Sequence, residues 1–326
     1  MTSAALPPHI ASLPKYELHV HLEGSIAPAT VAALTARHGL RISEAEVREH
    51  YAYRCFSEFI EAFKWVTSFL RDPQDYALIT ADLGEHLLTQ NVVYAEITLS
   101  VGVMLLRKQQ PEANFDAILR AAEPFAQRGL RLKWVFDAVR QFGGAEAMRV
   151  VGAARDCASK EIVAFGVGGD ELSTPTIEFR PVYDQAATLG LHRLIHAGEI
   201  GGPEKIREAV ELLGAERIGH GIAAIHDSAL MDLLADRRIP LEICPTSNLK
   251  TGALDRQLRR NNTTIADHPL PQLLRHGIPV VLSTDDPAMF DTTLLEEFRA
   301  AHAMHLSANE LAQLAANSEH FAFKSA

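Results

Sequence analysis

Eight short runs rich in apolar and β-branched residues recur along this chain, and most of the segments between them carry helical periodicity. The runs are Tyr16–Leu22, Val92–Leu99, Arg131–Val139, Ile162–Val167, Arg193–His196, Arg217–His220, Pro240–Cys244 and Pro279–Ser283. Helical spacing marks Pro203–Leu213, Asp227–Ala235 and Pro269–Arg275. Strand-then-helix repetition predicts parallel strands, because a parallel pair needs a crossover rather than a tight turn. An array of this kind that closes on itself is a (β/α)8 TIM barrel, whose chemistry sits at the C-terminal ends of the strands. Such barrels run to about 250 residues or more as one unit, so residues 1–326 are expected to form a single domain. The stretch from Pro28 to Gln90 is too long for one crossover and predicts extra helices between the first two strands. Within it, Phe59, Ile60, Phe63 and Val66 recur at helical spacing, either as an apolar lid or as core packing.

The fold predicts where reactive groups belong, and the sequence supplies them there. The residues that follow the apolar runs include His19-Val20-His21, Gly169-Asp170-Glu171, His196-Ala197-Gly198-Glu199, His220-Gly221, Ser247-Asn248 and Asp285-Asp286. A net charge of -10 and a pI near 5.8 oppose phosphate backbones and anionic lipid, which argues against nucleic acid and membrane partners. Met1 to Pro14 lacks a basic stretch leading into an apolar run, and no segment reaches the roughly 18 apolar residues of a membrane helix; a cytoplasmic protein is expected. Cys55, Cys157 and Cys244 are scattered and odd in number, so buried thiols are expected rather than a disulfide framework or a Cys-rich zinc site.

His19 and His21 are two apart on a strand, so both imidazoles leave the same face and can converge on one ion. His196 ends another run, with Glu199 three residues on, so a ligand and a proton carrier can share one loop. Asp285 and Asp286 are adjacent carboxylates that can divide roles between metal and substrate, although an Asp-Asp-Pro is also an ordinary helix start. Together His19, His21, His196 and Asp285 offer three nitrogens and one oxygen to a single zinc, an ion that brings the pKa of water near neutrality. His220 can orient or deprotonate that water.

Leu13-Pro14-Lys15-Tyr16-Glu17-Leu18-His19-Val20-His21-Leu22-Glu23-Gly24, His196-Ala197-Gly198-Glu199, Gly219-His220-Gly221 and Ser283-Thr284-Asp285-Asp286-Pro287 resemble the adenosine deaminase family. Gly168-Gly169-Asp170-Glu171 and Cys244-Pro245-Thr246-Ser247-Asn248 add to the likeness, which spans nearly the whole chain. The resemblance implies one Zn2+ on His19, His21, His196 and Asp285, and removal of the 6-amino group of an adenine nucleoside as ammonia. It implies Glu199 as proton donor to purine N1, and His220 as the residue that positions the attacking water. Asp286 becomes the partner of N7, Gly169 the backbone donor to N3, and His21 a neighbour of the substrate. Poorly nucleophilic water and an amide-like C6–NH2 require activation from both sides, which explains the demand for a metal and an acid.

Two positions depart from the family pattern. Glu23 stands where an aspartate meets the ribose 5′-hydroxyl, and Thr98 replaces an arginine. The longer Glu23 suits a different 5′ substituent. Ala288-Met289-Phe290-Asp291-Thr292-Thr293-Leu294 is closer to nucleoside-type enzymes than to adenine-specific ones. Adenosine and 2′-deoxyadenosine are therefore expected first, with 6-amino-6-deoxyfutalosine and then free adenine as alternatives. A two-metal amidohydrolase normally carries a bridging lysine after strand four, where this chain has Gly168-Gly169-Asp170. A non-catalytic binding barrel has no feature in its favour. The His-X-Glu and Pro-Cys-X-X-Cys motifs of cytidine-deaminase-type zinc sites are absent.

Overall fold

The computed structural model describes residues 6–324; Met1–Ala5 of the N-terminal stretch, with Ser325 and Ala326, lie outside. The eight apolar runs are eight parallel strands: β1 Lys15–His21, β2 Val92–Leu99, β3 Arg131–Val139, β4 Ile162–Gly168, β5 His192–Ala197, β6 Arg217–His220, β7 Leu241–Ile243 and β8 Val280–Leu282. They pair in chain order. An isolated parallel bridge between Val20 and Asp285 brings the chain just after β8 back to β1. Its two hydrogen bonds run from His21 N to Asp285 O at 2.7 Å and from Asp285 N to His19 O at 2.9 Å. Helices on the outside bury the other strand faces, which is why β4 is buried at all seven positions and reads as a continuous apolar run. Strand ends shift by at most one residue from the sequence reading, and β7 and β8 shrink to three residues, starting only after Pro240 and Pro279, which donate no ladder hydrogen bond.

Between β1 and β2 stand four helices, Pro28–Arg37, Glu44–His50, Phe56–Thr67 and Pro73–Thr89. Their starts are written locally. Ser43 with Glu46 and Asp72 with Asp75 form reciprocal capping boxes, and Pro73 occupies the first helical turn, where no N–H is needed. Asp75 is buried and also takes Arg37 Nε at 2.9 Å and His38 Nε2 at 2.8 Å. Burial raises its pKa, but the amide of Arg71 and the His38 and Arg37 side chains outweigh it and hold the carboxyl below the usual range. The helix Phe56–Thr67 divides its apolar residues between two tasks. Val66 is fully buried in the core, whereas Phe59, Ile60 and Phe63 line a cavity at the barrel mouth. The sequence reading of three buried thiols needs correction: Cys244 is buried, but Cys55 and Cys157 sit on helix termini and are half-buried. Among the described residues no helix is long and apolar enough to cross a membrane.

Candidate active site

A cavity of about 240 Å³, open to solvent on one side, lies over the C-terminal ends of the strands. His21, Gly169, His196, Glu199, His220, Asp285 and Asp286 all line it. His19 sits just below, 3% exposed. The imidazoles form a tight cluster: ring centroids are 4.6 Å apart for His19 and His196, 5.4 Å for His19 and His21, and 5.3 Å for His220 to either His19 or His196. Asp285 reaches into them, with Oδ1 3.2 Å from His21 Nε2 and 3.5 Å from His19 Nε2, and Oδ2 3.8 Å from His220 Nε2. Donor atoms of His19, His196, His220 and Asp285 all lie within 4.8 Å of one another, and His21, Asp285 and Asp286 make a second such group. The backbone is bent to achieve this. His220 and Asp285 both adopt left-handed φ angles, 61° and 67°, conformations that cost non-glycine residues on the order of 1–3 kcal/mol and gather at functional sites.

The cluster favours positive charge. His19 Nδ1 meets Glu242 Oε2 at 2.7 Å. Glu242 is held as a carboxylate, since the penalty of its burial is outweighed by Arg217 and His19. That contact keeps a proton on Nδ1, and Nε2 faces the cluster with no hydrogen-bond partner among the described residues, the nitrogen a bound cation would take in place of a proton. Burial works against charge on His19, but the Asp285 and Glu242 carboxylates outweigh it and lift its pKa well above the usual value. Burial and the neighbouring His19, His220 and His21 push His196 well below its own. Asp285 is held ionised, burial being overcome by the flanking histidines. An orphaned imidazole nitrogen, convergent neutral imidazoles and an ionised carboxylate match what zinc requires.

The remaining groups are set for proton chemistry. Glu199 lies 3.7 Å from His220 Nε2. Burial, then the charges of Asp285 and Glu171, raise its pKa far above the carboxylate range, so it carries a proton. Its loop is pinned by Glu171, which accepts the amides of Gly198 at 2.9 Å, Glu199 at 2.8 Å and Gly201 at 3.0 Å. His220 is neutral, its pKa pressed to about 4 by burial. Asp286 is raised by burial and by adjacent Asp285, and its Oδ1 has no partner among the described residues. It lies so close to Gly24 that a Cβ there would stand 1.7 Å from Oδ1.

Glu23 stands behind Ser100 and outside the cavity lining; its Oε1 accepts the Ser100 amide at 3.0 Å, where the helix Val101–Leu106 begins and leaves amides free, and its Oε2 has no partner among the described residues. Thr98 is buried beneath. The wall on that side is instead Ser100, Val103, Val139 and Asp137. Asp137 escaped the sequence reading, as did Glu242 and Arg217. A charged residue inside a run that is buried on both faces was the available signal, since such a charge must have a purpose or a partner.

With this geometry in view, comparison with known proteins is decisive: the family model described as "Adenosine deaminase" matches residues 14–326. The chain belongs to the adenosine deaminase family. It is an enzyme of that family, a hydrolytic deaminase. An aminodeoxyfutalosine deaminase of Streptomyces coelicolor is 38% identical over 317 residues, covering 94% of this chain and 79% of that protein. An adenosine deaminase of Vibrio cholerae is 33% identical over 328 residues, covering 97% and 95%. The crystal structure of an adenine deaminase from Arthrobacter aurescens superposes with a TM-score of 0.89 at 30% identity, covering 96% of this chain and 94% of that one.

Proposed function

We propose that this enzyme removes the 6-amino group of an adenine nucleoside by zinc-dependent hydrolysis, and that aminodeoxyfutalosine is a better substrate than adenosine or adenine. The observation that carries the chemistry is Glu199, a buried carboxyl that keeps its proton beside a neutral His220 and the orphaned nitrogen of His19. His19, His21, His196 and Asp285 would hold one zinc, which supplies Lewis acidity that makes water nucleophilic near neutral pH. Glu199 donates its proton to purine N1, so that C6 accepts the oxygen of water, and loss of ammonia then restores the ring as the 6-oxo product. Asp286, protonated at neutral pH, donates to N7, and the Gly169 amide donates to N3. Gly169 suits that task because its φ of 95° presents the amide at the end of β4, where a side chain would strike Gln141. Zinc removal by a chelator should abolish turnover, and zinc alone should restore it.

The substrate preference rests on two supports. One is the 38% identical relative that bears the name aminodeoxyfutalosine deaminase. The other is the cavity wall, to which Phe56, Phe59, Ile60, Phe63, Val103 and Phe142 contribute apolar surface. Such a wall favours a bulkier 5′ group over a bare hydroxyl. Incubation with aminodeoxyfutalosine, adenosine, 2′-deoxyadenosine and adenine, followed by ammonia release, ranks the substrates. A kcat/KM for adenosine above that for aminodeoxyfutalosine would reverse the preference, and two tightly held zinc ions per chain would favour a two-metal hydrolase.

A further inference from the structure

A row of buried groups runs from the start of the helix Leu270–Arg275 to His220. The Leu270 amide donates to His268 Nδ1 at 3.1 Å. His268 Nε2 lies 3.2 Å from Asn248 Oδ1, and Asn248 Nδ2 lies 3.0 Å from His220 Nδ1. His268, Asn248 and His220 are 3%, 0% and 1% exposed, so water does not compete for these positions. The direction of every bond in the row follows from its first member. A backbone N–H can only donate, so His268 must accept at Nδ1 and carry its proton on Nε2. The amide of Asn248 must then offer its oxygen to His268 and its NH2 group to His220. His220 Nδ1 is thereby an acceptor, and the single proton of its neutral ring is left on Nε2. That nitrogen points into the site, 3.7 Å from Glu199 Oε2 and 3.8 Å from Asp285 Oδ2.

We propose that the Leu270 amide, His268 and Asn248 form a one-way hydrogen-bond chain that holds His220 as its Nε2–H tautomer, so that His220 meets the reacting oxygen as a hydrogen-bond donor and not as a base. No bond is made or broken at His220. It orients the oxygen and stabilises negative charge that develops there; the proton shed by water goes to the Glu199 carboxylate, which has by then given its own proton to N1, and passes from it to the amino group, which leaves as ammonia. Asn248 and His268 are positioning residues; neither lines the cavity. Burial keeps His268 neutral, its pKa pressed to about 3, with His220 adding to the effect. A cationic His268 would direct an N–H at the Leu270 amide and break the row.

The inference rests on the reading of this cluster as the deamination site, and the test separates the two. Asn248→Asp is nearly isosteric but reverses the row: a carboxylate accepts from both imidazoles and moves the His220 proton to Nδ1. Histidine-specific 15N NMR of the zinc enzyme should find His220 protonated at Nε2 in the parent and at Nδ1 in Asn248→Asp. With the donor lost, kcat should fall by roughly 10²–10³-fold while KM changes by only a few-fold. His268→Phe frees the Asn248 amide to turn over and should give mixed tautomers and a smaller loss, a second route if Asn248→Asp does not fold. A parent His220 protonated at Nδ1, or full activity in Asn248→Asp, overturns the inference while leaving the deaminase reading intact. A folded, zinc-loaded parent that releases no ammonia from any of the four purines overturns both.

Discussion

The two mouths of this barrel are equally rich in buried charge, and they use it in opposite ways. At the far mouth, Arg217 is 1% exposed and lies between Glu242, with Nε to Oε1 at 2.6 Å, and Glu96. The C-terminal segment closes over them: Arg217 Nη1 donates to Phe321 O at 2.7 Å, and the Phe323 ring lies 3.8 Å from the guanidinium. Tyr94 donates to the Phe323 carbonyl at 2.9 Å, and the Phe323 amide to Glu96. All three nitrogens of the Arg217 guanidinium thus have a partner. At the catalytic mouth the polar atoms are buried but left open: His19 Nε2, Glu23 Oε2 and Asp286 Oδ1 have no partner among the described residues. Burial and charge alone thus fail to tell a structural network from a reactive one. Three unpartnered atoms converging on one cavity do, because an unsatisfied buried group costs about 1–3 kcal/mol; single ones such as Trp134 Nε1 and Thr176 Oγ1 occur elsewhere.

Substitutions at the two mouths should therefore separate activity from stability. Glu199→Gln removes the proton donor but keeps its shape, and turnover is expected to fall by about 10²–10⁴-fold, with the zinc content and urea midpoint of the parent; near-full activity would remove Glu199 from the role given to it. Arg217→Met leaves Glu96 buried without its guanidinium partner and Glu242 with His19 alone, and should lower unfolding free energy by about 3–5 kcal/mol, measured in urea. A loss under about 1 kcal/mol would mean the far mouth is not the structural one. The surface pair Arg275–Glu310 sets the lower end of the scale. The Arg275 contact, then the Ser307 amide and hydroxyl, press Glu310 down to about 2. A depressed carboxyl stabilises the fold fully above its unfolded pKa of about 4.3 and loses that effect as pH falls toward 2. Against Glu310→Gln the parent should lead by about 1 kcal/mol or less at neutral pH, and the lead should shrink in thermal melts taken between pH 5 and pH 2.

The catalytic mouth was more legible in the sequence than the far one. His19, His21, His196, His220 and Asp285 announce themselves because strand ends are where a parallel barrel keeps its exposed chemistry, and apolar runs mark those ends. Glu199 follows from its place three residues beyond His196. Glu23 could be placed beside the site from the sequence, but the contact of its Oε1 with the Ser100 amide could not, since that depends on a helix start 77 residues away. Arg217, Glu242 and the C-terminal phenylalanines meet only when the ring closes, and no local pattern announces a contact between residues 96, 217, 242 and 321. His268 stands in a loop without periodicity, and its meaning comes from the row it joins.

The bridge between Val20 and Asp285 gives this architecture a temporal property. The first and last strands are stitched by the backbone of His19, His21 and Asp285, the same residues whose side chains converge at the centre. A ribosome must therefore deliver some 285 residues before the cluster of His19, His21 and Asp285 can close, and an ion that grips those side chains also fastens the first strand to the last. Metal supply would then act on the lifetime of the folded enzyme as well as on its rate.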